Sequence, residues 1–137
     1  MNGVVGSINL IKNKIMIKED YVSFEIAKLL KEKGFDWCTY AYYEDEDNPN
    51  ISLCASKAIN WNKTEFISKP TLQMAMKWLR EEHKIDIAVY PYGDYSSENY
   101  QFDVYKNRDL MVSKDNGYMT YEQACEAAIK YCLEHLI

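Results

Sequence analysis

The sequence has few of the residues on which common catalytic and cofactor motifs depend. Among its 137 residues there are only five glycines and two histidines. None of the glycines forms the GxGxxG or GxxxxGK[ST] pattern that cradles phosphates, and no GxSxG nucleophile elbow occurs. The only histidine bases are His83 and His135, which stand near the charged ends of predicted helices, away from any obvious nucleophile. The sequence therefore predicts no catalytic residue and no cofactor.

Metal-binding patterns are also missing. The four cysteines, Cys38, Cys54, Cys125 and Cys132, form no CxxC pair and no dense framework. Cys125 and Cys132 lie seven residues apart on one face of a predicted helix, which is typical of reduced cysteine in a core. The acidic run at 44–47 does not have the ligand spacing of a calcium loop. We therefore predict no metal site.

No hydrophobic run approaches the roughly 18 residues of a membrane span, and the N-terminus lacks the features of a signal peptide. These absences predict a cytoplasmic protein without membrane contact. The net charge is −5, and residues 70–137 contain seven basic and eleven acidic residues. The helix and strand order of that half is typical of a double-stranded RNA-binding domain, but its negative charge argues against direct nucleic-acid binding.

Three helices are predicted from periodicity and from signals at their ends. Ser23 caps the first helix, Gly34 suits the left-handed position after it, and Phe35 is expected to fold back on the helix in a Schellman motif. Pro70 suits the first turn of the second helix. Thr120 and Gln123 form a capping box at the start of the last helix.

In the segments between the helices, apolar and polar residues alternate, as they do in strands with one solvent-exposed face. Strands are predicted at 37–43 and 51–55, at 85–90 and 100–105, and from Leu110 to a turn at 115–117. The predicted fold class is α+β, with about three helices packed on one face of a mainly antiparallel sheet, in the order (β)-α-β-β-α-β-β-β-α. Residues 16–137 are expected to form a single domain. Residues 1–15 are either an N-terminal extension or an edge strand, and Met16 is an alternative start.

Tyrosine is the one residue type in clear excess, with twelve copies. Five of them fall within residues 90–105, on one predicted hairpin and its tip. Because a tyrosine ring is a rigid apolar plate with a polar end, such residues are enriched at binding surfaces. The alternative is that Tyr100 belongs to the core and the rest are half-buried sheet residues. The predicted binding residues are Tyr90, Tyr92, Tyr95 and Tyr105, with Tyr42 and Tyr43 as a second patch.

Three segments have distinctive amino-acid sequences: YVSFEIAKLLKEKGF, KPTLQMAMKWLRE and TYEQACEAAIKYCLEHLI. They resemble segments of small uncharacterised proteins common in phages and prophage-like elements of gut bacteria. The resemblance covers the three predicted helices, about a third of the chain. It implies a mobile-element origin and a cytoplasmic site, and it supplies no functional residues.

Three functions remain open at this stage. The leading hypothesis is a non-catalytic interaction module whose Tyr-rich hairpin surface binds a host or phage protein. A second is an acidic mimic of nucleic acid that blocks a host DNA- or RNA-binding protein. A third is a small-molecule-binding protein or an enzyme, which requires a concave pocket of roughly 300 Å³ or more. Self-association through an exposed sheet edge is a further option.

Overall fold

The computed structural model describes residues 19–44, 47–49, 51–94 and 99–137. The predictions for residues 1–15 and for a start at Met16 lie outside these ranges. The described helices are α1 (Phe24–Glu32), α2 (Leu72–His83) and α3 (Tyr121–His135). The described strands are β1 (Thr39–Tyr43), β2 (Ser52–Ile59), β3 (Ile67–Ser68), β4 (Ile85–Tyr92), β5 (Asn99–Lys106) and β6 (Asp109–Tyr118), with a short 3₁₀ helix at Trp61–Lys63.

The predicted α+β class with antiparallel strands is confirmed, but the strands form two sheets. The first has the order β2-β1-β3 and the second the order β4-β5-β6, with every pairing antiparallel. Strand β3 has only two residues and lies in a segment whose polar sequence carries little periodicity. The sequence therefore did not predict this strand.

The register of the second sheet agrees with the alternation in the sequence. Ile87 faces Val104 and Val89 faces Phe102 across β4 and β5. Phe102 and Val104 are almost completely buried. Because side chains alternate along a strand, these residues share the inner face of the sheet and their neighbours lie on the outer face.

One hydrophobic core joins the two sheets. Helix α3 packs on all three strands of the second sheet, α2 packs on β4 and on α3, and α1 packs on α3 and on β3. Small residues on α3, including Ala124 and Ala128, allow the close approach and are fully buried. Tyr43 and Ile67 from the first sheet belong to the same cluster as Ile85 and Phe102 from the second.

The helix ends show how local sequence sets the boundaries. Ser23 accepts a hydrogen bond from the Ile26 N–H at the start of α1. At its end Gly34 has a φ of 88°, and the Phe35 N–H donates to the Leu30 carbonyl, so the predicted Schellman motif is confirmed. Pro70, predicted in the first turn of α2, lies before that helix, because Thr71 is its N-cap.

None of the helices in the described ranges is long and apolar enough to cross a lipid bilayer.

A candidate interaction cleft at the hairpin end

A concave surface of about 880 Å³ lies where the end of the β4–β5 hairpin meets the start of α3. We call it the aromatic cleft. Two strands, β4 and β5, contribute to it together with the segment before α3 and the first turn of α3, so its residues are separated in sequence. Its described lining residues are Pro91, Tyr92, Gly93, Asp94, Asn99, Tyr100, Met119, Thr120, Tyr121 and Glu122.

A bulge in β6 lies next to Asn99, one of the residues that line the cleft. Tyr100 pairs with Tyr118 whereas Phe102 pairs with Lys114, so the intervening residues of β6 form extra backbone opposite β5. The turn predicted at 115–117 is thus a bulge within the strand. Gly117 takes a φ of 68°, and a Cβ atom there would lie 3.1 Å from Oδ1 of Asn99. A larger residue would therefore be strained in its backbone and would crowd the Asn99 side chain.

Two tyrosine rings meet at right angles in the cleft. The ring centroids of Tyr100 and Tyr121 are 6.2 Å apart with an interplanar angle of 83°. Nε2 of Gln73, on α2, donates to the Tyr121 hydroxyl at 3.3 Å and so orients that ring. Tyr92, at the end of β4, also lines the cleft and is 57% exposed. The cleft thus combines two half-buried rings with a ring open to a partner.

The described lining of the cleft is acidic. Among these residues Asp94 and Glu122 carry carboxylates, and Glu122 stands in the first turn of α3. The hydrogen bond from Gln73 acts to lower the pKa of Tyr121, but burial and the neighbouring Cys125 and Glu122 outweigh it, so this pKa lies above its usual value. Tyr121 is therefore a neutral phenol at physiological pH.

Three of the predicted hairpin tyrosines, Tyr90, Tyr92 and Tyr105, alternate onto the outer face of the second sheet in the regular pairing of β4 with β5. Tyr92 lines the aromatic cleft. Tyr90 lies on the outer face of the second sheet, where its hydroxyl donates to Gln101 at 3.1 Å and to Asp103 at 3.2 Å. Tyr105 is the cross-strand partner of Asp86 on that same outer face. Tyr95 lies outside the described residues.

The second predicted patch, Tyr42 with Tyr43, is divided between two faces of β1. Tyr43 is 5% exposed, and its hydroxyl donates to the Val22 carbonyl at 2.9 Å. A surface role for Tyr43 therefore does not agree with its burial, because alternation turns it into the core. Tyr42 faces the other way and stacks on Trp61 at a centroid distance of 4.0 Å. Its ring is half-buried by this contact.

Sequence reasoning missed most of the cleft. Tyr100 was expected in the core, whereas it is half-buried and lines the cleft. Tyr121 and Met119 were not singled out, because nothing in the sequence places the start of the last helix beside the hairpin. The sequence around Met119 points the other way. Met119 precedes the N-cap Thr120, a position where an apolar side chain usually packs on the helix, and yet it is 73% exposed.

A second, smaller groove of about 500 Å³ runs between the start of α1 and α3. Its acids include Asp20, Glu25, Glu122 and Glu126. Two of them have structural partners. Glu25 pairs with Lys130 at 2.8 Å, and Glu126 accepts a hydrogen bond from the Ser23 N–H at 2.8 Å. These contacts give Glu25 and Glu126 a structural role.

Within the described ranges, no three His, Cys, Asp or Glu side chains are grouped so that they could share a metal ion. Comparisons with protein-family models, with curated proteins and with solved structures gave no match. The geometry of the chain's own residues is therefore the basis for any functional assignment.

Proposed function

We propose that this protein is a non-catalytic interaction module that binds another protein through the aromatic cleft. The observation that carries the proposal is the exposure of Tyr92 and Met119, 57% and 73%, beside the fixed pair Tyr100 and Tyr121. Large apolar side chains that are exposed to solvent on an ordered backbone are typical of interface anchors.

The scaffold around the cleft supports this role. The pairing of β4 with β5 is continuous from Ile85 to Tyr92, so the hairpin presents Tyr92 on a regular strand end. Gln73 and the N-cap Thr120 fix the helix side, the latter by accepting from the Gln123 N–H at 3.1 Å. Because both walls are ordered, binding costs less conformational entropy than it would for a flexible loop.

Site-specific photocrosslinking tests the proposal. Benzoylphenylalanine would replace Tyr92 in one variant and Tyr40 in another. Tyr40 is the matched control, because it is also 57% exposed but lies on β1 of the first sheet. We expect position 92 to crosslink to one defined protein in phage-carrying gut bacteria and position 40 not to do so. Equal labelling at both positions, or none at either, would contradict the proposal.

A purified partner then allows affinities to be measured. We expect Tyr92→Ala to weaken binding about tenfold or more, as an interface anchor does, while Tyr40→Ala changes it little. Thermal unfolding of both variants checks that the fold is retained.

A second candidate is a small-molecule-binding protein. The volume of the aromatic cleft, about 880 Å³, lies within the range of ligand sites, and Asn99, Thr120 and Glu122 supply polar groups. A thermal-shift screen of metabolites separates the two candidates. A compound that stabilises the wild type and not Tyr121→Ala would favour this second function.

The proposed cellular setting is the cytoplasm of a bacterium that carries a phage or prophage. Its support is the resemblance of the three helical blocks to small proteins of such elements. The proposed partner is accordingly a host or phage protein.

A further inference from the structure

We infer that the aromatic cleft receives a lysine side chain of the partner protein and holds its ammonium group between the tyrosine rings. This inference rests on the proposed function and specifies the chemistry of the partner. Two properties of the cleft support a cationic occupant over a neutral one, namely the arrangement of its rings and the sign of its charge.

The rings offer π faces from two directions. Tyr100 and Tyr121 stand at 83° to each other with centroids 6.2 Å apart, so they form adjoining walls. A cation is attracted to a ring face when it lies within about 6 Å of the centroid. An ammonium group near the corner between the two walls is within reach of both rings.

The charge of the cleft has the matching sign. Of its lining residues that the structure describes, Asp94 and Glu122 are acidic and none is basic. The positive end of the α3 dipole lies nearby, and Glu122 in the first turn of that helix offsets it. A lysine would therefore gain from both the ring faces and the carboxylates, whereas an uncharged side chain of equal length would gain only from apolar contact.

The protein already uses this arrangement within its own fold. Nζ of Lys69 lies 5.0 Å from the ring centroid of Tyr21 and 5.1 Å from that of Tyr43. The same nitrogen donates to Oγ of Ser52 at 2.9 Å. An ammonium group thus already lies within cation–π distance of two tyrosine rings in this protein.

The test is an amide NMR titration with two blocked tripeptides, acetyl-Gly-Lys-Gly-amide and acetyl-Gly-norleucine-Gly-amide. Norleucine has the same four-carbon side chain as lysine but lacks the terminal ammonium group. We expect the lysine peptide to shift the amides of residues 92–94 and 119–122, and the norleucine peptide to bind about fivefold to tenfold more weakly. Glu122→Gln and high salt should each weaken the lysine peptide, since both reduce the electrostatic attraction.

Variants separate the site from the rest of the surface. Tyr121→Leu keeps an apolar side chain but removes a ring face, so it should weaken the lysine peptide, whereas Tyr40→Leu should not. Equal or tighter binding of the norleucine peptide, or the absence of shifts at the cleft with the lysine peptide, would overturn the inference. If crosslinking at position 92 still captured a protein in that case, the proposed function would stand with a different partner chemistry. Lysine selectivity without protein capture would instead contradict the proposed function.

Discussion

The carboxylate of Glu126 accepts a hydrogen bond from the backbone N–H of Ser23 at 2.8 Å, and so joins α3 to the first turn of α1. In a capping box this bond comes from a Glu or Gln three residues after the N-cap. Here that position is Ile26, which is buried in the core. Glu126 supplies the missing half of the box from 103 residues further along the chain.

Loss of this contact should destabilise the protein. We expect Glu126→Ala to lower the free energy of unfolding by about 1 kcal/mol, because the amide loses a charged acceptor. Glu126→Gln should cost less, since its amide oxygen still accepts. The control is Glu134→Ala, which loses only the exposed pair with Lys130 at 3.8 Å and should change stability little. Urea unfolding measures all three, and equal stabilities for Glu126→Ala and the wild type would contradict the role assigned to this bond.

Local signals were enough to predict most of the elements, and contacts between distant segments account for what they missed. Ser23, Gly34 and Thr120 mark helix ends through bonds within a few residues, so they are readable in the sequence. The Glu126 bond joins residues about a hundred positions apart. The aromatic cleft similarly depends on the approach of Tyr121 to Tyr100, which no periodicity reports.

The division of Tyr42 and Tyr43 shows a second limit of sequence reasoning. Adjacent residues of a strand point to opposite faces of the sheet. The pleat alone therefore excludes one binding surface that contains both Tyr42 and Tyr43. Which of the two is buried depends on what packs against the strand. Here the Val22 carbonyl accepts from the Tyr43 hydroxyl, and Trp61 stacks on Tyr42.

Thiol labelling should separate the four cysteines into two pairs. Cys38 and Cys54 are exposed, whereas Cys125 and Cys132 are buried, as predicted for the core face of the last helix. Burial raises the pKa of Cys125 to about 11 and that of Cys132 to about 12. At pH 8 we expect Ellman's reagent to modify two thiols rapidly and the buried two at least about a hundredfold more slowly. Cys38→Ser with Cys54→Ser should abolish the fast phase. Fast reaction of all four thiols in the folded wild type would contradict the burial.

His83 should make stability depend on pH. Its ring packs on Trp78 at a centroid distance of 4.6 Å, and burial lowers its pKa from 6.5, with Lys106 acting in the same direction and Glu82 against it. Between the lowered value and 6.5 the unfolded chain binds more protons than the folded one, so the free energy of unfolding rises with pH across this window. The contribution is fully present above 6.5 and is lost as pH falls through the folded pKa.

Chemical unfolding at a series of pH values measures this effect as the difference between the wild type and His83→Gln. We expect the wild type to lose more stability than His83→Gln as the pH is lowered through that window. Glu82→Gln should enlarge the loss, because it removes a charge that favours the protonated ring. Parallel curves for the wild type and His83→Gln would contradict the assignment.

The β5–β6 hairpin contains a residue whose replacement should stabilise the protein. Asn107 and Arg108 have φ values of 52° and 71°, as in the two-residue turns for which Asn-Gly is preferred. We expect Arg108→Gly to raise the free energy of unfolding by about 0.5–1 kcal/mol, because glycine takes this conformation without steric cost. Arg108→Ala is the control. It loses the same weak contact with Asp86 at 4.0 Å but keeps a Cβ atom, so it should give no gain. A gain of equal size for both variants would contradict the explanation by backbone strain.

Ser68 and Thr39 form a matched pair of buried hydroxyls in the first sheet. Oγ of Ser68 is buried without a hydrogen-bond partner among the described residues, whereas the Thr39 hydroxyl donates to the Ala41 carbonyl at 2.8 Å. We expect Ser68→Ala to raise the free energy of unfolding by about 1 kcal/mol, since it removes a desolvated polar group that gains no bond. Thr39→Val keeps the shape but deletes a satisfied donor, so it should lower stability by about 1 kcal/mol. Denaturant unfolding of the two single variants measures both signs. Destabilisation by Ser68→Ala comparable to that by Thr39→Val would show that the Ser68 hydroxyl is bonded in solution.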